Sequence, residues 1–161
     1  MKQWSSNRAF SLIELVVVIV VIGVIVSIAI PRMASATSNS RTNAAQFSVR
    51  EFNCYIETYY TDYSAWPSLS INDFAGRIQH PNPFAPEGAA VLEQPTGLSA
   101  TDFHPTAKTT STADNRAGWW YNNASGSFRG RVSAQGNDAR TINLYNTING
   151  CSISAIAQTA K

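Results

Sequence analysis

The sequence predicts an α+β fold in which a long N-terminal helix packs on a C-terminal antiparallel sheet of three to four strands. Two observations lead to this prediction. A continuous apolar run over residues 10–31 is followed by apolar side chains at helical spacing up to Tyr63, whereas short aromatic segments separated by glycine-containing turns appear only after residue 117. The chain of 161 residues is long enough for one domain and an anchor.

The apolar stretch over residues 10–31 predicts a membrane-spanning helix. Twelve of the sixteen residues from 15 to 30 are Val or Ile. A helix from Phe10 to Ile30 is roughly 30 Å long, which matches the hydrocarbon core of a bilayer. Glu14 lies near the start of this stretch, where an isolated carboxylate costs about 2.5 kcal/mol or more. We therefore expect Glu14 to have a partner or a function.

Two residues of this helix are predicted weak points. Pro31 lacks the N–H group that would bond the carbonyl of Ser27, so a kink or a loosened turn is expected there. Gly23 is the second weak point because glycine has a low helix propensity. The alternative is that Gly23 allows a close helix contact and that Pro31 marks the membrane boundary.

Residues 32–63 continue the helix as an amphipathic segment. Apolar side chains recur at intervals of three and four residues, which is typical of one helical face packed on a core. The residues of this stripe are Ala45, Val49, Phe52, Ile56, Tyr59 and Tyr63. Phe47 and Cys54 lie on roughly the opposite face and are interpreted either as contacts with neighbouring subunits or as isolated surface residues. The helix should end near Tyr63, ahead of Trp66 and Pro67.

Residues 64–117 are predicted to be mostly irregular, because prolines and a Thr/Ser/Ala-rich run punctuate them. A short helical turn is expected from Asp73 to Ile78.

Residues 118–161 are predicted to form the antiparallel sheet. The first hairpin joins residues 118–122 to residues 127–132, with Gly126 at a left-handed position. Further strands are expected at residues 141–145 and 151–153, the latter after a turn at Asn149 and Gly150.

Charge and composition point away from catalysis and from general nucleic-acid binding. The net charge is +2, and removal of Lys2 and Arg8 would leave ten basic and ten acidic residues. His80 and His104 occur singly in the irregular region and match no catalytic or metal-binding motif. We therefore predict no enzyme activity, no catalytic residue, no cofactor, no metal site and no small-molecule substrate.

Cys54 and Cys151 are candidates for a disulfide if the soluble part faces an oxidising compartment. The long loop between them would give about 4–5 kcal/mol of stabilisation in the chain-entropy model. Two separate thiols are the alternative, and the position of Cys54 off the main helical stripe favours that alternative.

The N-terminal segment resembles that of type IV pilins and the related pseudopilins of type II secretion systems. Residues 8–15 read Arg-Ala-Phe-Ser-Leu-Ile-Glu-Leu and precede the long apolar helix. The resemblance implies that residues 1–9 are a prepilin leader, that prepilin peptidase cuts between Ala9 and Phe10, and that the new amine of Phe10 is methylated. Most family members have glycine where this chain has Ala9.

The resemblance also implies assembly into a filament. Glu14 would pair with the amine of Phe10 on an adjacent subunit and set the register between subunits, while Gly23 and Pro31 would loosen the helix on packing. The implied partners are other pilin subunits in a homo- or hetero-polymer, prepilin peptidase, an inner-membrane assembly platform and the inner membrane. Nucleic acid is expected only for a DNA-uptake pilin.

The implied location is the inner membrane, crossed once with the N-terminus in the cytoplasm, and then a surface pilus or a periplasmic pseudopilus. The charges flanking the apolar run do not set this orientation by themselves. Three alternatives stay open: a pseudopilin rather than a pilus subunit, a plain membrane-anchored binding protein, and a secreted protein cut after Ala36 in the sequence Ala34-Ser35-Ala36.

Overall fold

A computed structural model describes residues 10–68, 81–89, 91–111, 113–114 and 116–161. In chain order it contains helix α1 (Leu12–Tyr63), strands β1 (Leu92–Glu93), β2 (Trp119–Asn122) and β3 (Ser127–Gly130), and helix α2 (Asp138–Asn149). The predicted α+β class is confirmed. The chain divides into two compact units, Met1–Asn39 and Ser40–Lys161, and we call the second unit the head.

Within the head, α1 contributes its predicted apolar face to the core. Ala45, Val49, Phe52 and Ile56 are buried, and the rings of Phe52 and Phe128 lie 4.9 Å apart between their centroids. The stripe is shorter than predicted, because Tyr63 is 67 % exposed. The helix ends at Tyr63 as predicted.

The sheet is small and mixed, with the order β1-β2-β3. β2 and β3 pair antiparallel and form the predicted hairpin, with Trp120 opposite Arg129. β1 pairs parallel with β2, placing Leu92 opposite Trp119. The prediction of a wholly antiparallel sheet is therefore wrong, since one strand comes from the region that was predicted to be irregular.

The hairpin turn depends on Gly126. Its φ angle is 68°, which is the left-handed conformation predicted for it. A Cβ atom at this position would lie 2.4 Å from the ring of Trp66. The turn therefore needs glycine both for its backbone angle and for the close approach of Trp66.

The predicted strand over residues 141–145 is wrong, because this segment lies inside α2. Asn137 caps the helix by accepting a hydrogen bond from the amide of Arg140 at 2.9 Å. Gly150 ends the helix with a φ angle of 61°. The expected strand at residues 151–153 is also absent, and Gly150 is a helix cap rather than a hairpin turn. The predicted helical turn from Asp73 to Ile78 lies outside the described residues.

Asn149, the last residue of α2, completes the outer edge of β3. Its side-chain amide donates to the carbonyl of Gly130 at 2.9 Å, and its Oδ1 accepts from the amide of Gly130 at 2.8 Å. Asn149 therefore gives Gly130 the two hydrogen bonds that a neighbouring strand would supply.

The second face of the sheet, opposite α1, carries Trp120, Asn122, Arg129 and Arg131. Polar side chains on this face bind the loop of residues 98–108. Asn122 donates to the carbonyls of Ser99 and Asp102, at 2.8 Å each, and Nε of Arg131 donates to that of Ala107 at 2.9 Å. These bonds hold the loop against the sheet through its backbone.

His104 is buried where this loop meets α2, and it is only 3 % exposed. Its Nδ1 lies 3.1 Å from the hydroxyl of Tyr145 and accepts from Nε of Arg129 at 3.4 Å. Burial, followed by the charges of Arg129 and Lys108, lowers the pKa of His104 from 6.5 to about 4. The imidazole is therefore neutral in the folded head at neutral pH.

We expect the head to lose stability in acid because His104 stays neutral when folded and takes up a proton when unfolded. The stabilising contribution is complete above pH 6.5 and is lost as the pH falls towards about 4. The free energy of unfolding should fall by about 3 kcal/mol from this group. Urea unfolding of the full chain in detergent across this pH range measures the effect.

The matched control is His104→Asn, which keeps an acceptor near the position of Nδ1 but does not titrate. The free energy of unfolding of this variant should change less with pH than that of the wild type, and the difference is the contribution of His104. Equal slopes in the two proteins would contradict the assignment.

Candidate functional site: the N-terminal helix

The start of α1 is fixed by a bond between Ser11 and Glu14. The helix begins at Leu12, so Phe10 and Ser11 lie outside it. Oε2 of Glu14 accepts a hydrogen bond from the backbone amide of Ser11 at 3.0 Å. This is the reciprocal half of a capping box, in which Glu at the third helical position binds back to the capping residue. This pairing was not among the predictions, although Ser-x-x-Glu is its usual signature.

The side chains that follow Glu14 form an exposed apolar surface. Every large apolar residue from Phe10 to Ile30 is exposed by at least 43 %. An 18-residue window of α1 has a mean hydropathy of 3.2. The helix is therefore long and apolar enough to cross a membrane, as the sequence predicts.

Phe10, which precedes the helix, and Glu14 lie at one groove at the start of α1. Both line an open groove of about 330 Å³, together with Ile13, Val17 and Val18. Within α1, Ile13 is four residues before Val17 and Glu14 is four residues before Val18, so these side chains lie on one side of the helix. The structure thus brings together two of the predicted site residues, and it gives the carboxylate an apolar surrounding. Ala9, the third, lies outside the described residues.

Gly23 and Pro31 both lie inside α1, which continues through them without interruption. A Cβ atom on Gly23 would meet nothing within 4 Å in this chain. The carbonyl of Pro31 accepts a hydrogen bond from the hydroxyl of Ser35 at 3.2 Å. The role of both residues as weak points therefore stays a prediction.

The two cysteines are separate thiols in this structure. Cys54 is exposed on α1, beside a groove that ends at Gly150. Cys151 is half-buried, and its thiol donates to Oδ1 of Asn146 at 3.3 Å. A bond between them would require Cys151 to leave Asn146, and the disulfide stays a prediction for an oxidising compartment.

We expect a maleimide reagent to modify Cys54 quickly and Cys151 only slowly in the folded, reduced protein. Cys54 is exposed, whereas burial raises the pKa of the Cys151 thiol and so lowers the thiolate fraction. Mass spectrometry of peptides after timed labelling measures both rates, and urea should make them similar. Protein isolated without reductant tests the disulfide, since a bonded pair would react at neither cysteine until it is reduced.

Among the described residues, no group of three or more His, Cys, Asp or Glu side chains is placed to hold a metal ion.

Comparison with known families agrees with the geometry of the N-terminal segment. A family model described as the prokaryotic N-terminal methylation motif matches residues 4–30. No curated protein and no solved structure matches the chain significantly. Residues 4–30 therefore carry the N-terminal methylation motif, which is the leader signature of type IV pilins and pseudopilins.

Proposed function

We propose that this chain is a structural, non-enzymatic subunit of a type IV pilus-like filament. The observation that supports this most strongly is the methylation motif at residues 4–30, which overlaps an exposed apolar helix. Glu14 is the only acidic residue before Glu51, and it lines the same groove as Phe10. The helix would store the subunit in the inner membrane, with the N-terminus in the cytoplasm, and would later pack against other helices in the filament.

Processing would take place at the Ala9–Phe10 bond. Prepilin peptidase would cut after Ala9, whose small side chain replaces the glycine most common in the family, and would then methylate the amine of Phe10. Methylation keeps the positive charge of that amine. The start of α1 at Leu12 leaves Phe10 and Ser11 outside the helix, next to the bond to be cut.

Glu14 would then act in assembly. In the isolated subunit its carboxylate has only the neutral amide of Ser11 as a partner in the described structure. The amide of Ser11 carries no charge and cannot neutralise the carboxylate, whereas the methylated amine of Phe10 on an adjacent subunit is a cation and would form an ion pair with it. This pairing would relieve both buried charges and set the register between subunits.

N-terminal mass spectrometry of the mature protein from cell membranes tests this proposal. Methylated Phe10 at the N-terminus is the expected result. A chain beginning at Met1 would instead support a plain membrane anchor. A chain beginning at Thr37 would support secretion after a signal peptide.

A pseudopilin of a type II secretion system is the second candidate, because the same motif occurs in pseudopilins. Both candidates require other pilin-like subunits and an inner-membrane assembly platform. A deletion strain separates them. Loss of surface fibres supports a pilus subunit that serves adhesion, motility or DNA uptake, whereas loss of exoprotein secretion with normal fibres supports a periplasmic pseudopilus.

A further inference from the structure

The head contains a cavity between the second face of its sheet and the loop of residues 98–108. Its volume is about 330 Å³, which falls within the range typical of small-molecule sites. Two buried residues at the cavity, Trp120 and Arg131, come from the second face of the sheet. His104 comes from the loop.

Three hydrogen-bond donors at this cavity have no partner among the described residues. Nε of Arg131 binds Ala107, and its Nη1 binds Glu93 and Ala117, but Nη2 makes no hydrogen bond. The indole N–H of Trp120 also makes none. Each fully enclosed side-chain nitrogen or oxygen in the described part of the chain does have a partner. The nitrogen atoms of these donors are therefore accessible to solvent, and the residues that carry them line this cavity.

The third open donor is Nε2 of His104. Nδ1 accepts from Arg129, and a guanidinium can only donate, so the proton of the neutral ring must be on Nε2. Nδ1 also faces the hydroxyl of Tyr145. Because His104 lines the cavity, its free N–H adds a third donor there.

Two carboxylates at the same cavity can accept further hydrogen bonds. Glu93 uses Oε2 for Arg131 at 2.6 Å, and Asp102 uses Oδ2 for the amide of Ser99 at 2.9 Å. The other carboxylate oxygen of each residue makes no hydrogen bond with the described residues. An ionised carboxylate has about four acceptor sites, so both can bind further hydroxyl groups.

The charges at the cavity cancel. Arg116 and Arg131 contribute two positive charges, and Glu93 and Asp102 contribute two negative charges. An anion would meet two carboxylates, and a cation would meet two guanidinium groups. A neutral ligand with several hydroxyls can use the open donors and the open acceptors together without leaving a charge unpaired.

We propose that this cavity binds a neutral saccharide unit through the indole N–H of Trp120, Nε2 of His104, Nη2 of Arg131 and the carboxylates of Glu93 and Asp102. The ligand is bound and not transformed. Arg116, which is half-exposed and pairs with Asp114, adds a donor at the rim.

Nuclear magnetic resonance of the full chain, with ¹⁵N-labelled tryptophan, tests this proposal in a detergent that has no sugar headgroup. The probes are glucose, galactose and N-acetylglucosamine. We expect saturable shifts of the Trp120 indole N–H, with a dissociation constant in about the millimolar range for the best sugar. The indole of Trp119, which is buried on the other face, is the internal control.

Charged probes and variants complete the test. Arg116→Gln should weaken binding by roughly fivefold, which matches the loss of one hydrogen bond. Trp120→Phe should weaken it at least as much. Arg140→Gln changes an exposed arginine on α2 and should have no effect. The proposal is overturned if no sugar shifts Trp120, if acetate or methylammonium shifts it more strongly than the sugars do, or if Arg116→Gln and Arg140→Gln bind alike.

Discussion

Glu14→Ala and Glu14→Gln are both expected to abolish filaments while leaving the subunit in the membrane. Each removes the charge that would pair with the amine of Phe10 in a neighbouring subunit. An unpaired buried charge costs about 3 kcal/mol or more, which lowers each association constant by about a hundredfold. Electron microscopy of sheared filaments and immunoblots of the membrane fraction measure the two quantities.

The two variants also separate the charge of Glu14 from its capping bond. The glutamine side chain of Glu14→Gln would retain an oxygen that can accept from the amide of Ser11, whereas alanine removes both functions. Equal loss of filaments shows that the charge is required. A loss confined to Glu14→Ala would assign the effect to the helix cap instead.

Ser35→Ala is the matched control, since Ser35 is an exposed polar residue of the same helix that binds only backbone carbonyls within the described structure. It should give wild-type filaments. Mass spectrometry should show the same cleavage after Ala9 in all variants, so that a failure of processing is distinguished from a failure of assembly. Wild-type filament yield from both Glu14 variants would contradict the proposed role.

Gly126→Ala should destabilise the head by about 3 kcal/mol. Part of this cost, about 1 kcal/mol, comes from placing a Cβ in the left-handed conformation. The remainder comes from the contact with Trp66, because the new Cβ would lie 2.4 Å from its ring and overpacking of this kind costs about 1–3 kcal/mol. Urea unfolding followed by circular dichroism measures the total.

Gly136→Ala isolates the backbone contribution. Gly136 also has a positive φ, of 81°, but a Cβ there would meet nothing within 4 Å. It should cost only about 1 kcal/mol. Similar losses in the two variants would show that the Trp66 contact contributes little, and the double variant Gly126→Ala/Trp66→Ala should then be no more stable than expected from additivity.

The hairpin and the buried face of α1 could be predicted because their signals are local. Gly126 marks the turn, and Ala45, Val49, Phe52 and Ile56 repeat with helical spacing. The prediction of a strand at residues 141–145 was wrong because five residues of alternating polarity are too few to distinguish the two-residue period of a strand from the 3.6-residue period of a helix. The buried residues Thr141, Tyr145 and Ile148 follow helical spacing, but this becomes clear only over the whole length of α2.

Among the site residues, too, only those with a local signal could be predicted from the sequence. Glu14 could be singled out because a carboxylate in an apolar stretch is costly in any fold. Its bond to Ser11 follows the three-residue spacing of a capping box, which is a local signal in the sequence. The head cavity could not be predicted, because Glu93, His104, Trp120 and Arg131 meet only after the strands pair and the loop closes. The parallel pairing of β1 is equally non-local, since two residues give no periodic signal.

The hydrogen bonds between Asn149 and Gly130 affect whether the sheets of neighbouring heads can join when the heads are crowded together. An edge strand with open backbone groups can recruit a strand from another copy, and crowding subunits side by side in a filament would favour such pairing. At Gly130 both backbone groups are already bound to a side chain from α2. A neighbouring head cannot add a strand there unless it first displaces the end of a helix. The head is thereby protected at this position against joining other heads through its sheet.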